Sequence, residues 1–217
     1  MTDPAFPDRF FEREDEAADA VFYREPRFVA HIDDDTIAAL TGYYGEFLPP
    51  GSRVLDLMSS WISHLPDVDY ARVAGLGMNE QELAANPRLT DAAVHDLNDD
   101  PHLPYEDAAF DRALIAVSIQ YLVQPLAVFG DLARVLTPGG RVAVAMSHRC
   151  FPTKAILAFR ALGPVDRVRL VSAYLHHAGF VDIGFEDRSP AHADPLWIVV
   201  GTRPGGAGPQ GKGRVRS

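Results

Sequence analysis

The stretch from Phe110 to Met146 leaves the chain little choice of architecture. Phe110, Ala113, Leu114, Ile115, Ala116 and Val117 form a nearly continuous apolar run, the pattern of a strand buried on both faces. Pro125 to Leu136 then places Leu126, Phe129, Leu132, Ala133 and Leu136 on one helical stripe, with Pro125 in the first turn and Arg134 near the C-terminal end. Pro138-Gly139-Gly140 stops the helix, and Arg141 to Met146 is apolar again. A strand, a helix and a second strand in this order belong to a sheet wound with helices on its faces.

Five further runs extend that sheet. Val54-Leu55 follows the Pro50-Gly51 punctuation and ends on one acid, Asp56. Arg72–Leu76 is closed by Gly77, and Ala92–Val94, Val181–Phe185 and Leu196–Val200 complete seven strands. The last two are separated by only about ten residues, too few for a helical crossover and enough for a hairpin, so the final strand is expected to run antiparallel. The expected fold is therefore α/β, a doubly wound, seven-stranded mixed sheet. Helices are expected at Glu12–Val21, from Asp34 or Asp35 to Phe47, at Trp61–Leu65, Asn79–Ala85, Lys154–Leu162 and Val168–Ala178. Asn79 reads as a cap, with Glu82 as its capping-box partner.

A chain of 217 residues suits one such domain with additions at both ends. Residues 1–50 read as a helical cover or lid, 51–203 as the sheet domain, and 204–217 as a disordered basic tail. Thirty acids against twenty bases give a net charge of -10, a poor platform for nucleic acid. The single cysteine, Cys150, excludes an intrachain disulfide framework. No apolar run approaches the roughly 20 residues of a membrane span, and the N-terminus has no apolar signal core, so a cytoplasmic protein without membrane partners is expected.

In an open α/β sheet, ligands bind outside the carboxyl ends of the strands. Asp56 sits at such an end and is followed by Met58-Ser59-Ser60-Trp61-Ile62, a turn without the glycines that let a backbone approach a nucleotide. Ser118, Gln120 and Tyr121 follow the fourth strand, and Ser147-His148-Arg149-Cys150 follows the fifth. A histidine titrating near neutrality can take a proton from a nucleophile, which makes His148 the first candidate base and His64 the second. Arg149 and Lys154 are candidates to hold a carboxylate or phosphate. Phe22, Tyr23, Phe28, His31, Tyr43 and Tyr44 in the prologue either close over a small substrate or belong to the core. No convergent ligand set exists for a metal: His148 with Cys150 is incomplete, and His176 and His177 diverge on a helix.

Arg53-Val-Leu-Asp56, the Leu103-Pro104-Tyr105 turn before Phe110-Asp111-Arg-Ala-Leu-Ile-Ala-Val-Ser118, and Leu132-Ala-Arg-Val-Leu-Thr-Pro138-Gly139-Gly140-Arg141 occur in a familiar order. With these the chain resembles a class I S-adenosylmethionine-dependent methyltransferase, of the small-molecule group called methyltransferase type 11, from about Gly51 to Arg203. The resemblance implies a Rossmann-like fold and S-adenosyl-L-methionine as cofactor. It sets Asp56, Met58, Ser60, Trp61 and Ser118 against the methionine and ribose, and Asp96 and Leu97 against the adenine. Gly77 stands where the family often has a ribose-binding acid, leaving Asn79 or Glu80 to supply a weaker contact. Tyr121 would border the reaction, and Tyr23, His31, Arg149 and Lys154 would face the acceptor. The implied activity is direct displacement of a methyl group onto a small polar or anionic molecule. Oxygen, nitrogen, sulfur and selenium acceptors are not separated by the sequence, and a homo-oligomer is left open. Two other readings stand beside it: a degenerate member acting in binding or assembly, and a nicotinamide-dependent oxidoreductase, which lacks its glycine fingerprint here.

Overall fold

The structure, a computed structural model that describes residues 6–205, is built on one seven-stranded sheet. A 3₁₀ turn (Asp8–Phe11), α1 (Asp19–Phe22) and α2 (Asp34–Phe47) precede it. Then come β1 (Arg53–Leu57), β2 (Arg72–Gly77), α3 (Glu80–Ala85), β3 (Asp91–Val94), β4 (Phe110–Ala116), α4 (Pro125–Val135) and β5 (Leu136–Met146). The chain continues through α5 (Leu157–Ala161), α6 (Pro164–His177), β6 (Val181–Asp187) and β7 (Trp197–Thr202). The sheet order is β3-β2-β1-β4-β5-β7-β6, parallel except for β7, which runs antiparallel to both β5 and β6. The expected mixed sheet with an antiparallel final strand is thus the observed one.

Alternation along the strands divides the core into two layers. Leu55, Leu57, Ile115, Val142 and Val144 face Phe129 and Leu132 of α4 and Tyr174 of α6. Val54, Leu114, Ala143 and Ile198 face Leu40, Tyr43, Tyr44 and Phe47 of α2. The α2 helix starts on a true cap, since Asp33 Oδ1 accepts from the Thr36 N–H at 2.9 Å. The N-terminal residues thereby pack on the same sheet as the rest, and the tail from residue 206 lies outside the described residues.

Five local expectations are corrected. The helix expected at Glu12–Val21 shrinks to α1, because the side chains compete for the backbone: Arg13 N–H donates to Glu16 Oε1 at 2.7 Å and Ala17 N–H to Asp15 Oδ1 at 2.9 Å. No helix forms at Trp61–Leu65, where His64 has a left-handed backbone at φ 53° and Pro66 follows. The Lys154 helix begins only at Leu157, while α6 begins earlier, on Pro164 in its first turn. Glu82 is not a capping-box partner: Asn79 caps α3 through its own Oδ1, and the Glu82 carboxylate points elsewhere.

Candidate active site

A cleft opens outside the carboxyl ends of β1, β2 and β4, with about 1160 Å³ of empty space counted out to the open solvent. Asp56, 3 % exposed, forms its floor. Its Oδ2 accepts from Ser59 Oγ and Ser63 Oγ, both at 2.6 Å. Burial still dominates: the carboxyl is pushed up to about 6, with the two serine hydroxyls pulling against the shift.

The turn after β1 does by side-chain bonding what glycines do by lack of side chains. Met58 takes φ 59°, the left-handed region a glycine enters without strain. Asn86 Nδ2 donates to Ser60 O and Ser63 Oγ, each at 2.8 Å, and Ser59 N–H donates to Leu76 O at 2.7 Å. This last bond seats the turn on the end of β2. A Cβ on Gly77 would lie 2.2 Å from Ser59 O, so no side chain fits where a ribose-binding acid would stand. The buried carboxylate nearest in sequence that faces the cleft is Glu82, whose Oε2 accepts from Ser60 Oγ at 2.6 Å.

Residues 22–31 cross the cleft as a strap. Asn79 Nδ2 donates to Tyr23 O and Arg24 O at 2.9 and 3.1 Å, Arg27 N–H to Glu82 Oε1 at 2.7 Å, and Trp61 Nε1 to Val29 O at 3.1 Å. Arg27 stacks over the Phe22 ring at 4.4 Å. The strap is anchored behind by a fully buried Lys154, which donates to Ala17 O at 2.6 Å and pairs with Asp15 and Asp19 at 3.3 and 3.2 Å. Asp19 also pairs with Arg13 at 2.7 Å and accepts from Asn98 Nδ2 at 2.7 Å.

A second pocket adjoins the first and shares His31, Val117, Tyr121 and Phe151 with it. These four residues mark the junction. Burial lowers the pKa of His31, and Arg27 adds to the shift against an opposing Glu82. Burial, with His31 beside it, brings His64 down to about 4. Both imidazoles are therefore neutral at pH 7. Tyr121 is pushed up to about 12 by burial, and its oxygen accepts the Phe151 N–H at 2.8 Å, which leaves its proton to donate. Val117, a β-branched residue at φ 49°, carries backbone strain at the same place.

Asp56, Met58, Ser60, Trp61, Asn79, Asp96, Leu97 and Ser118 all line the cleft, as do Tyr23, His31, His64 and Tyr121. The side chain of Asn79 is occupied by the α3 cap and the strap. Three candidates lie elsewhere. His148 does not line the cleft; its Nε2 is 3.2 Å from Asp194, in the loop between β6 and β7. Arg149 reaches only the second pocket. Lys154 is consumed by the anchor described above and has no donor left for a substrate. The sequence reading missed Arg27, Glu82, Asn98 and Phe151, all cleft residues. Asn98 stands beside Asp96-Leu97 and was reachable by adjacency; nothing local marks Arg27.

A buried hydroxyl without a partner, Ser118 Oγ, stands at the end of β4 among the described residues. Together with an acid for a cation, the apolar Leu97 and Leu76, and the Asp96 carboxylate, this donor set fits S-adenosylmethionine, with the ribose contact displaced from Gly77. Among the described residues no group of three or more potential ligands is placed to hold a metal, and no helix is long and apolar enough to cross a membrane.

Comparison with known proteins agrees on the fold. The family model described as "Methyltransferase domain" matches residues 58–144, a stretch that begins just beyond β1 and leaves Asp56 outside. The chain is 32% identical over 105 residues to Methyltransferase GfsG of Streptomyces halstedii, covering 44% of this chain and 37% of that protein. It is 27% identical over 194 residues to 27-O-demethylrifamycin SV methyltransferase of Amycolatopsis mediterranei (strain S699), covering 78% and 69%. The chain thus spans little more than a third of the first relative and about two thirds of the second. Among solved structures, the [4+2]-cyclase SpnF superposes with a TM-score of 0.58 at 20% identity, covering 77% of this chain and 81% of the cyclase. An S-adenosylmethionine-dependent methyltransferase from Mesorhizobium loti superposes with 0.57 at 19%, covering 76% and 98%. The chain has the class I S-adenosylmethionine-dependent methyltransferase fold.

Proposed function

We propose that the protein transfers a methyl group from S-adenosylmethionine to a small polar or anionic molecule. The observation that carries this reading is the cleft at the ends of β1, β2 and β4, with a buried acid, Asp56, and an unpaired buried hydroxyl, Ser118, on its walls. The bound cofactor supplies an electrophilic methyl on a positively charged sulfur. Asp56, largely ionised at pH 7, offsets that charge in a site of low dielectric, where the interaction is stronger than in water. Leu97 and Asp96 receive the base, and Glu82 replaces the missing acid at the ribose because Gly77 can carry no side chain.

The acceptor meets the methyl at the junction of the two pockets. Displacement needs alignment more than acid–base chemistry, and Val117 and Phe151 supply the walls that impose it. Tyr121 donates a hydrogen bond to the acceptor, and His31, neutral and shared by both pockets, takes the proton an attacking hydroxyl, amine or thiol releases. His31 replaces His148 in this role, since His148 lies outside the cleft. The strap excludes water from the transfer.

A second reading, a binding or assembly protein without catalysis, is favoured by the blocked position at Gly77 and by the bonded strap. Calorimetry with S-adenosylmethionine and S-adenosylhomocysteine decides between them. Saturable binding of either supports the methyltransferase; absence of both in folded protein free of carried-over cofactor selects the second reading.

A further inference from the structure

The second pocket contains a cation held in an unusual way. Arg149 Nε lies 3.0 Å from both carboxylate oxygens of Asp194, itself 5 % exposed. Asp194 is fixed in turn: its N–H donates to Asp33 Oδ2 at 2.6 Å, its carbonyl accepts from Thr36 Oγ1 at 2.7 Å, and its Oδ2 accepts from Asp33 N–H at 3.1 Å. The guanidinium is therefore clamped by its Nε side, while neither terminal nitrogen has a hydrogen-bond partner among the described residues. A planar fork with one edge tied and the other open is prepared for a two-oxygen anion.

From this the geometry points to the second pocket as the acceptor's port, with the open edge of Arg149 receiving the carboxylate of a flat, small monocarboxylic acid. The walls argue for the flat body: Phe151 and Tyr121 lie with ring centroids 5.9 Å apart at an interplanar angle of 30°, and Val117 and Ala30 add apolar wall opposite the polar edge made by His31, Arg149 and Cys150. The charges argue for a single negative charge. Arg149 faces the Asp194 carboxylate, with Asp33 bonded to Asp194 behind it and His148 Nε2 3.2 Å from Asp194 Oδ1, so the two carboxylates repel a dianion such as phosphate more than a single carboxylate. Lys154, the other cation expected to hold an anion, is buried in its own network and does not help. The class of ligand does not depend on the methyl-transfer reading; only its identification as the acceptor does.

Cys150 provides a reporter that needs no turnover. It is the sole cysteine of the chain, exposed, and lines this pocket but not the cleft. Its alkylation by neutral iodoacetamide is followed by mass spectrometry with benzoate or its uncharged isostere benzamide as probe. Benzoate at ten times its dissociation constant should slow alkylation by about tenfold, the free fraction being what reacts, and benzamide at the same concentration should leave the rate unchanged. Arg149→Gln should abolish the protection. Arg149→Lys, which keeps the charge beside Asp194 but not the fork, should weaken it, and covers the case in which the glutamine variant fails to fold. Equal protection by benzamide, full protection in Arg149→Lys and Arg149→Gln, stronger protection by inorganic phosphate than by benzoate, or no protection by benzoate would each overturn the assignment. Protection without any binding of S-adenosylhomocysteine keeps the carboxylate site and removes the methyltransferase; binding of S-adenosylhomocysteine without protection does the reverse.

Discussion

Asp56→Asn separates what this acid does for the ligand from what it does to the fold. Both serine hydroxyls that reach it bond to the same oxygen, Oδ2, so an asparagine carbonyl in that place keeps both bonds, removes the charge and sets an amide nitrogen where Oδ1 stood. The folded carboxyl titrates near 6 against 3.8 in the ordinary state. A folded pKa above the unfolded one means that the folded state binds the extra proton, so wild-type stability falls as pH rises from about 3.8 through about 6. The full cost is about 3 kcal/mol. Asparagine escapes it, so the stability of the variant relative to wild type should be about 2 kcal/mol more favourable at pH 7.5 than at pH 4.5, the cost of its amide being the same at both. That difference corresponds to a change in relative Tm of about 4–8 °C for a domain of this size. Urea titrations at the two pH values measure the difference directly. Calorimetry on the same protein should find S-adenosylmethionine weakened more than S-adenosylhomocysteine, whose thioether sulfur carries no charge. A stability difference from wild type that does not change with pH would refute the picture of a desolvated, charge-bearing floor.

Three other substitutions probe the parts around it. Gly77→Ala puts a Cβ against the Ser59 carbonyl and should cost about 1–3 kcal/mol while weakening S-adenosylhomocysteine binding; an unchanged melting curve and affinity would mean that the turn does not rest on β2. Lys154→Met removes the ammonium shared by Ala17 O, Asp15 and Asp19, leaves Asp19 to Arg13 and Asn98, and should cost about 1–3 kcal/mol by urea unfolding, whereas a neutral result would dissolve the anchor of the strap. Asp33→Ala removes the α2 cap, worth about 1 kcal/mol, and also the acceptor of the Asp194 N–H. It should therefore lower stability by more than the cap alone, and a loss of no more than about 1 kcal/mol by urea unfolding would mean that the bond to Asp194 contributes nothing.

The sheet was legible because its strands are apolar enough to be buried on both faces, and their ends told which residues gather at one edge: Asp56, Met58, Ser60, Trp61, Asn79, Asp96, Leu97 and Ser118 all line the cleft, while Glu80 does not. Direction beyond a strand end was not legible. His148, Arg149 and Lys154 follow β5 closely, yet each turns toward a carboxylate distant in sequence, Asp194 for the first two and Asp19 for the third. Periodicity carries no information about such partners. The prologue misled for a local reason, because Asp15 and Glu16, read as helix-forming in composition, bond their neighbours' backbone instead. Arg27 was invisible since its place depends on the strap's path, which is set by Asn79, Glu82 and Trp61 from another part of the chain.

The glycine-poor turn and the strap are best understood as one device. A chain of hydrogen bonds runs from Asp56 through Ser63 to Asn86, from Asn86 to the Ser60 carbonyl, from the Ser60 hydroxyl to Glu82, and from Glu82 to the Arg27 N–H. A glycine-rich turn needs no side chains to hold its shape and leaves nothing for a strap to grip. Here the serines that replace the glycines fix the turn from below, while Ser60 and Trp61 hand bonds upward to Glu82 and Val29. Loss of Ser60 or Glu82 therefore loosens the turn and the cover together, whereas loss of Lys154 frees the cover's far end and leaves the turn's bonds intact. Serines and a tryptophan at this turn therefore bond both the sheet end and, directly or through Glu82, residues 22–31, which a glycine-rich turn would not do.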